Sequence, residues 1–214
     1  MNGILITIEG IEGSGKTTQA IKLESYLKSR GYPVLRTFDP GATQLGSKLR
    51  EILLNESSIK LHPVTELLLF SADRAQHLFE IVIPALEKGT IVICDRFIDS
   101  TSAYQGGGRS LNLEEIQQIH NIASLGITPN RTYLLDLPPE IGLSRIMKER
   151  NKLDRLESEA LEFHTNIRKT FLKLAEYSPE RFLVIDATQP EDVVFEIIRK
   201  DITRIIDEQS VRKK

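Results

Sequence analysis

Gly10-Ile11-Glu12-Gly13-Ser14-Gly15-Lys16-Thr17 has the spacing G-x-x-x-x-G-K-[ST] of a phosphate-binding loop. Glycines at these positions let the backbone fold tightly enough for several N–H groups to face one anion. A helix starting at the lysine adds the positive end of its dipole at the same place. Lys16 is then within reach of the β and γ phosphates of a nucleotide, and the Thr17 hydroxyl can ligate magnesium. The loop follows an apolar run and opens a helical pattern, which is the context the mechanism requires and a chance Gly/Ser turn does not. Asp95-Arg96 closes a second apolar run, Thr90 to Cys94. In a parallel sheet ligands sit at the carboxyl ends of strands, so Asp95 is a candidate for magnesium or its water shell and Arg96 for a transferring phosphoryl group. Arg50, Arg74, Arg145, Arg150 and Arg155 recur where they could converge on phosphate; spacing does not choose between that role and a solvated surface one. A phosphate loop by itself leaves GTPases, ATPases and kinases open. Asn151-Lys152-Leu153-Asp154 matches the guanine-reading N-K-x-D, but it follows a charged helical end and no Asp-x-x-Gly follows a strand, so the match reads as accidental.

The elements that must position these groups are legible as alternating patterns. Apolar, β-rich runs predict strands at 4–8, 33–38, 90–94, 132–137 and 182–186. Helical spacing predicts helices over 16–30, ending at Gly31, over 44–54, and over 63–88 with an interruption at Pro84. Near-continuous apolar strands imply a sheet buried on both faces, hence parallel. The expectation is α/β: a three-layer fold with a central parallel sheet flanked by helices, and one domain over 1–214. The run Lys148 to Glu162 is the densest in charge, and charge alone reads it as a solvated helix pair.

Composition narrows the class further. Hydrophobic residues make up 40% and charged ones 27% of 214 residues, and the net charge of −2 argues against a dedicated nucleic-acid binder. The single cysteine, Cys94, excludes an internal disulfide framework and a cysteine-based metal site. No apolar run approaches the ~18 residues of a membrane span, and the N-terminus lacks the basic region of a signal peptide. The chain is expected to be soluble and cytoplasmic.

The combination GIEGSGKTT, FDPGAT, SADRAQH, DRFIDSTSAYQGGGR, LDRLE and DATQP resembles the bacterial thymidylate kinase family, from Ile4 to about Ile206. That resemblance implies a P-loop NTPase fold and transfer of the ATP γ-phosphoryl group to dTMP, with magnesium as cofactor, in a homodimer that binds neither nucleic acid nor membrane. It implies ATP binding by Gly10, Ile11, Glu12, Gly13, Ser14, Gly15, Lys16 and Thr17, and a metal site at Thr17 and Asp95. For the acceptor it implies Glu12 at the sugar 3′-hydroxyl, Asp39 nearby, Arg50 and Arg96 on the phosphate, Phe70 stacked on thymine and Arg74 at its edge. Ser100, Thr101, Tyr104 and Gln105 would line the rest of the pocket. Without the resemblance Phe70, inside LLLF, reads as core packing. The charged run becomes a lid over about 148–159. The phosphate loop carries no basic residue before Lys16, which resembles the family's subtype with the catalytic arginine in the lid and implies Arg155 for that role by the match of LDR, with Arg150 in reserve. Lys16, Asp95, Arg96 and Arg155 thus form the expected catalytic set. His62, His77, His120 and His164 are read as structural. The family's Arg-Glu-Pro-Gly-Gly-Thr is here Phe38-Asp39-Pro40-Gly41-Ala42-Thr43. A kinase for another acceptor, such as dUMP or a nucleoside, and a nucleotide-binding switch protein are the alternative readings.

Overall fold

β-Branched and leucine-rich runs that can bury both faces form the strands β1 (Ile4–Glu9), β2 (Val34–Phe38), β3 (Ile91–Asp95), β4 (Arg131–Asp136) and β5 (Phe182–Asp186). The computed structural model describes residues 3–55, 58–150 and 153–212. The strands form one sheet in the order β2-β3-β1-β4-β5, and every neighbouring pair is parallel. β1 lies at the centre with all six residues buried. Its side chains alternate between the two faces. Ile4, Ile6 and Ile8 pack with Leu23, Leu27, Ile167, Phe171, Ile198 and Ile202, while Leu5 joins Val92, Cys94, Leu78, Val82 and Leu86. Those two apolar clusters are the inner surfaces of a three-layer sandwich, as the strand pattern predicts.

Register then sets the site. Ile8 pairs with Asp95 across β1 and β3, and Phe38 pairs with the same Asp95 across β2 and β3. The loops after β1, β2 and β3, carrying Gly10–Thr17, Asp39 and Arg96, therefore leave the sheet side by side.

The helices are α1 (Lys16–Ser29), α2 (Gln44–Arg50), α3 (Pro63–His77), α4 (Ile83–Glu87), α5 (Ile98–Thr101), α6 (Leu113–Ala123), α7 (Pro139–Arg150), α8 (Leu161–Tyr177) and α9 (Glu191–Arg212). Thr43 caps α2 by accepting from the Gly46 N–H at 2.9 Å. The expected helix over 44–54 is α2 continued by a π-helical turn, Glu51–Asn55. The expected 63–88 helix is α3, a π-helical turn at Leu78–Val82, then α4. Pro84 sits in the first turn of α4, where a missing N–H costs no hydrogen bond. A third π-helical stretch, Ser102–Gly108, packs on α8. A Cβ on Gly107 would lie 2.2 Å from the Thr170 hydroxyl, and one on Gly108 2.4 Å from the Phe163 ring, so this contact needs glycine. The charged run does not form a solvated helix pair. From 153 to 160 the described residues form loop and turns, Leu161 and Glu162 open α8, and Leu156 and Glu157 are buried. Asn151 and Lys152, half of the N-K-x-D match and part of the expected lid, lie outside the described residues. Among the described residues no helix is long and apolar enough to cross a membrane.

Candidate active site

The loop after β1 has Gly13 at φ 67° and Gly15 at φ 92°, left-handed backbone that glycine adopts without strain. The turn delivers Lys16 to the first position of α1. Its ammonium donates to the Ile11 carbonyl at 2.7 Å and lies 3.4 Å from the Ser14 hydroxyl, so it points into the loop. Burial, then repulsion from Arg96, lowers the Lys16 pKa to about 8, against the attraction of Asp95, Glu12 and Glu9. An anionic ligand in the loop would restore the missing countercharge. Thr17 donates its hydroxyl to Asp95 Oδ2 at 2.6 Å, linking α1 to the end of β3.

Arg96, next in sequence, takes φ 70°, a conformation that turns its side chain back over the loop. It donates to the Gly10 carbonyl at 3.2 Å and the Ser100 hydroxyl at 3.3 Å, pairs with Glu12 Oε1 at 3.3 Å, and lies over the Tyr104 ring at 5.1 Å. Tyr104 donates its hydroxyl to Oε1 of the same Glu12. Oε2 of Glu12 is buried and faces Nδ1 of His164 at 3.4 Å. Burial alone would raise the Glu12 pKa, but His164, Arg96, Lys16 and Tyr104 outweigh it and hold the pKa at about 2. Glu12 is therefore a fixed carboxylate with lone pairs available to a hydroxyl donor.

On the opposite wall, Arg74 of α3 is almost fully buried. It gives Nε and Nη2 to the two oxygens of Asp39 at 2.8 and 3.2 Å, and Nη1 to the Thr101 hydroxyl at 2.8 Å. Arg50 of α2 donates to the Pro40 carbonyl at 2.7 Å. Phe70 sits one helical turn before Arg74 on the same face.

These walls enclose a cavity of about 650 Å³. Of the residues expected from the sequence, Glu12, Gly13, Gly15, Lys16, Thr17, Asp39, Arg50, Phe70, Arg74, Asp95, Arg96, Ser100, Thr101, Tyr104 and Gln105 line it. Gly10, Ile11 and Ser14 belong to the loop but do not line the cavity. Arg150 lines it, from the end of α7, paired with Glu157. Arg155 does not. Its Nε donates to the Leu53 carbonyl at 2.7 Å and its Nη2 to Glu66 at 2.6 Å. Arg145 donates to the carbonyls of Gly13 and Ala187, both at 3.2 Å.

Sequence reasoning passed over Glu9, Glu66 and Asp73 and read His164 as structural. Glu9 ends β1 and accepts from the Phe97 and Ser100 N–H groups and from the Ser100 hydroxyl at 2.7, 3.3 and 2.6 Å. Burial and the charge of Asp99 raise its pKa to about 8. Asp73 accepts from the Gly41 N–H at 3.1 Å, and burial beside Asp39 raises its pKa to about 7. The signal for Glu66 was its place four residues before Phe70 and eight before Arg74, on one helix face; His164 offered none. Of the other histidines, His77 bonds Thr37 at 2.7 Å, His120 contacts Ser102 at 3.1 Å, and His62 caps α3.

Two kinds of oxygen are available for a divalent cation, the Thr17 hydroxyl and the Asp95 carboxylate, touching one another at the cavity wall. Among the described residues there is no cluster of three or more His, Cys, Asp or Glu able to hold a metal. That donor set suits magnesium, which keeps several waters and takes one or two protein oxygens plus substrate phosphates.

The model of the thymidylate kinase family matches residues 8–198. The chain is 50% identical to a thymidylate kinase of Carboxydothermus hydrogenoformans over 198 residues, 92% of this chain and 96% of that one. It is 49% identical to one of Deinococcus radiodurans over 190 residues, 89% and 91% of the two chains. A crystal structure of thymidylate kinase from Ehrlichia chaffeensis matches the fold with a TM-score of 0.77 at 33% identity, covering 95% of this chain and 99% of that one.

Proposed function

The chain belongs to the thymidylate kinase family, and from that premise we infer that it moves the ATP γ-phosphoryl group onto dTMP, giving dTDP and ADP. One observation carries the reading: a single cavity is lined both by phosphate-loop residues and by Phe70, Arg74, Tyr104 and Gln105, with Asp95 and Arg96 also on its wall. A nucleotide-binding switch needs no such second set of lining groups.

The monophosphate is mostly a dianion near pH 7, since its second pKa is about 6. Its oxygen attacks the γ phosphorus of ATP as the bond to the β–γ bridging oxygen breaks, and ADP leaves with that electron pair. No general base is required; the work is alignment and cancellation of charge between two polyanions. Residues 10–17 hold the ATP phosphates, with Lys16 on the β and γ groups. Thr17 and Asp95 would hold magnesium, Asp95 directly or through water; when bound, the ion neutralises phosphate charge. Arg96 and Arg50 grip the acceptor phosphate. The Glu12 carboxylate, held ionised on the cavity wall, accepts from the sugar 3′-hydroxyl. Phe70 stacks on the base. Arg74, whose guanidinium is committed at three nitrogens to Asp39 and Thr101, keeps only two of its five N–H groups for the thymine edge.

Arg150 is the lid arginine best supported by the geometry, because it lines the cavity while Arg155 is held on Glu66. We further infer a homodimer, supported by exposed Leu68 on α3 and Ile122 on its neighbour α6, apolar surface that a partner would cover. Sedimentation showing only monomer at micromolar concentration would remove that inference. The substrates and the single, buried Cys94 suit a reducing cytoplasm.

The function is tested by ADP release with ATP and magnesium against dTMP, dUMP, dCMP, dGMP and thymidine. Fast turnover with dTMP, a weak second rate with dUMP, and collapse of both with EDTA are expected. Release independent of any acceptor would overturn the kinase reading.

A further inference from the structure

Glu66 is a charged group in an unusual position. It sits on α3 with a side chain 1% exposed, and its carboxylate collects donors from two other parts of the chain. Oε1 accepts from Gln105 Nε2 at 2.9 Å and Arg109 Nε at 3.2 Å; Oε2 accepts from Arg109 Nη2 at 3.3 Å and Arg155 Nη2 at 2.6 Å. Gln105 lines the acceptor end of the cavity. Arg155 belongs to the lid and is fastened a second time, to Leu53 and Leu54: its Nε donates to one carbonyl and its backbone N–H to the other, at 2.7 and 3.2 Å. Arg109 reaches on to Glu159, further along the lid, at 2.6 Å. One buried carboxylate behind the pocket wall, bonded to Gln105 of that wall, thus ties the lid at residues 155 and 159.

Between those two ties lies Glu157, the partner of Arg150. The turn holding Glu157 is internally bonded. Asp154 Oδ1 accepts from the N–H groups of Leu156 and Glu157, both at 2.9 Å, and the Asp154 N–H donates to Glu157 Oε2 at 2.9 Å. A stiff turn fixed at its far end transmits that position to Arg150. A carboxylate buried this deeply is tolerable only when cations reach it. Burial by itself would raise the Glu66 pKa, and the bonds from Arg109, Gln105 and Arg155 outweigh it and hold the group ionised.

We propose that Glu66 is a positioning residue for phosphoryl transfer: through Arg155 and the Arg109–Glu159 pair it anchors the lid to the acceptor pocket and so sets where Arg150 meets the phosphates. This rests on the reading of Arg150 as the lid arginine.

The test compares the wild-type enzyme with Glu66→Gln, Glu159→Gln, Arg150→Ala, Arg155→Gln and the double variant Glu66→Gln/Arg155→Gln. Glutamine at 66 keeps the shape and can still accept from Gln105, but it leaves Arg155 without its anion and Arg109 with Glu159 alone. With Glu66→Gln, kcat is expected to fall about thirtyfold, while the Kd for dTMP measured without ATP stays within threefold. Tryptic cleavage after Arg150 and Arg155 in the folded protein, read by mass spectrometry, should speed up at least fivefold. Glu159→Gln, altering a partly exposed group outside the pocket, should move both readouts the same way by about threefold. In the Arg155→Gln background the Glu66→Gln substitution should cost much less than in the wild type. Unchanged kcat and unchanged cleavage in Glu66→Gln overturn the proposal. So does a parallel loss of kcat and dTMP affinity, which would make Glu66 a pocket-building residue only. If Glu66→Gln does not fold, Glu159→Gln decides alone, and wild-type cleavage and turnover there overturn it. Arg150→Ala with wild-type kcat would instead sink the reading of Arg150, while the cleavage rates still report on the anchor.

Discussion

Gly142→Ala separates two physical effects that predict opposite signs. Gly142 lies in the first turn of α7, where alanine is the better helix former by about 1 kcal/mol. Propensity alone would therefore make the variant more stable. The packing says otherwise. A Cβ on Gly142 would stand 2.3 Å from the Glu12 carbonyl oxygen, while ordinary contact begins at 3.4 Å. The reciprocal contact, a Cβ on Gly13 against the Gly142 carbonyl, is also 2.3 Å. Both partners are backbone, so no flexible side chain can move aside. Relief requires α7 and the phosphate loop to separate by roughly 1 Å, and overpacking of this kind costs about 1–3 kcal/mol. The net effect is a loss of up to about 2 kcal/mol, which for a chain of this size lowers Tm by up to about 8 °C. Function should suffer more than stability. A displacement of ~1 Å in a group that aligns reactants costs on the order of a hundredfold, and Glu12 belongs to the loop and touches Arg96 and Tyr104 as well. We expect kcat/KM for both ATP and dTMP to fall about a hundredfold in a coupled ADP-release assay. Ser144→Ala, exposed on the same helix, reads propensity without the clash and should leave kcat/KM unchanged. A Gly142→Ala protein with a higher Tm and kcat/KM within threefold of wild type would refute the packing argument.

Phe70→Ala should raise the KM for dTMP by about tenfold or more, since stacking on an aromatic platform contributes ~1–3 kcal/mol per base. An equal rise in the KM for ATP would mean that Phe70 is core and not a base platform. The pH dependence of ATP binding follows from Lys16, whose pKa of about 8 in the free protein lies below that of an ordinary lysine. The charged form that grips phosphate is complete below pH 7 and is lost as pH rises through 8. One unit above the pKa only about a tenth remains, so the Kd for a non-hydrolysable ATP analogue should weaken about tenfold between pH 7 and pH 9. A flat profile over that range would show that Lys16 does not set the affinity.

Amino-acid order alone suffices for whatever can be written within one strand and the turn after it. The phosphate loop needs only glycines, a lysine and a hydroxyl at fixed spacing between a strand and a helix, and Asp95-Arg96 needs only to follow a buried strand. The alternation of apolar runs with helical spacing was enough for the parallel three-layer fold, because a strand buried on both faces and a helix buried on one leave different periods. The helix break near 51–55 was not legible, and the one at 78–82 only as an interruption near Pro84, since a π-helical turn has no local signature and is settled by what packs on either side.

Tertiary structure alone decided the arginines. A guanidinium on a long, flexible stem can reach any carboxylate within its range, so its partner is chosen by distant chain and by burial, not by its own neighbours. Arg74 is spent largely on Asp39, 35 residues away. Arg155 and Arg150 stand five positions apart in one charged run, yet Arg150 lines the cavity and Arg155 turns outward to the buried Glu66, 89 residues earlier. That difference exists because α3 places a carboxylate where water cannot solvate it, and Arg155 joins Arg109 in supplying its countercharge.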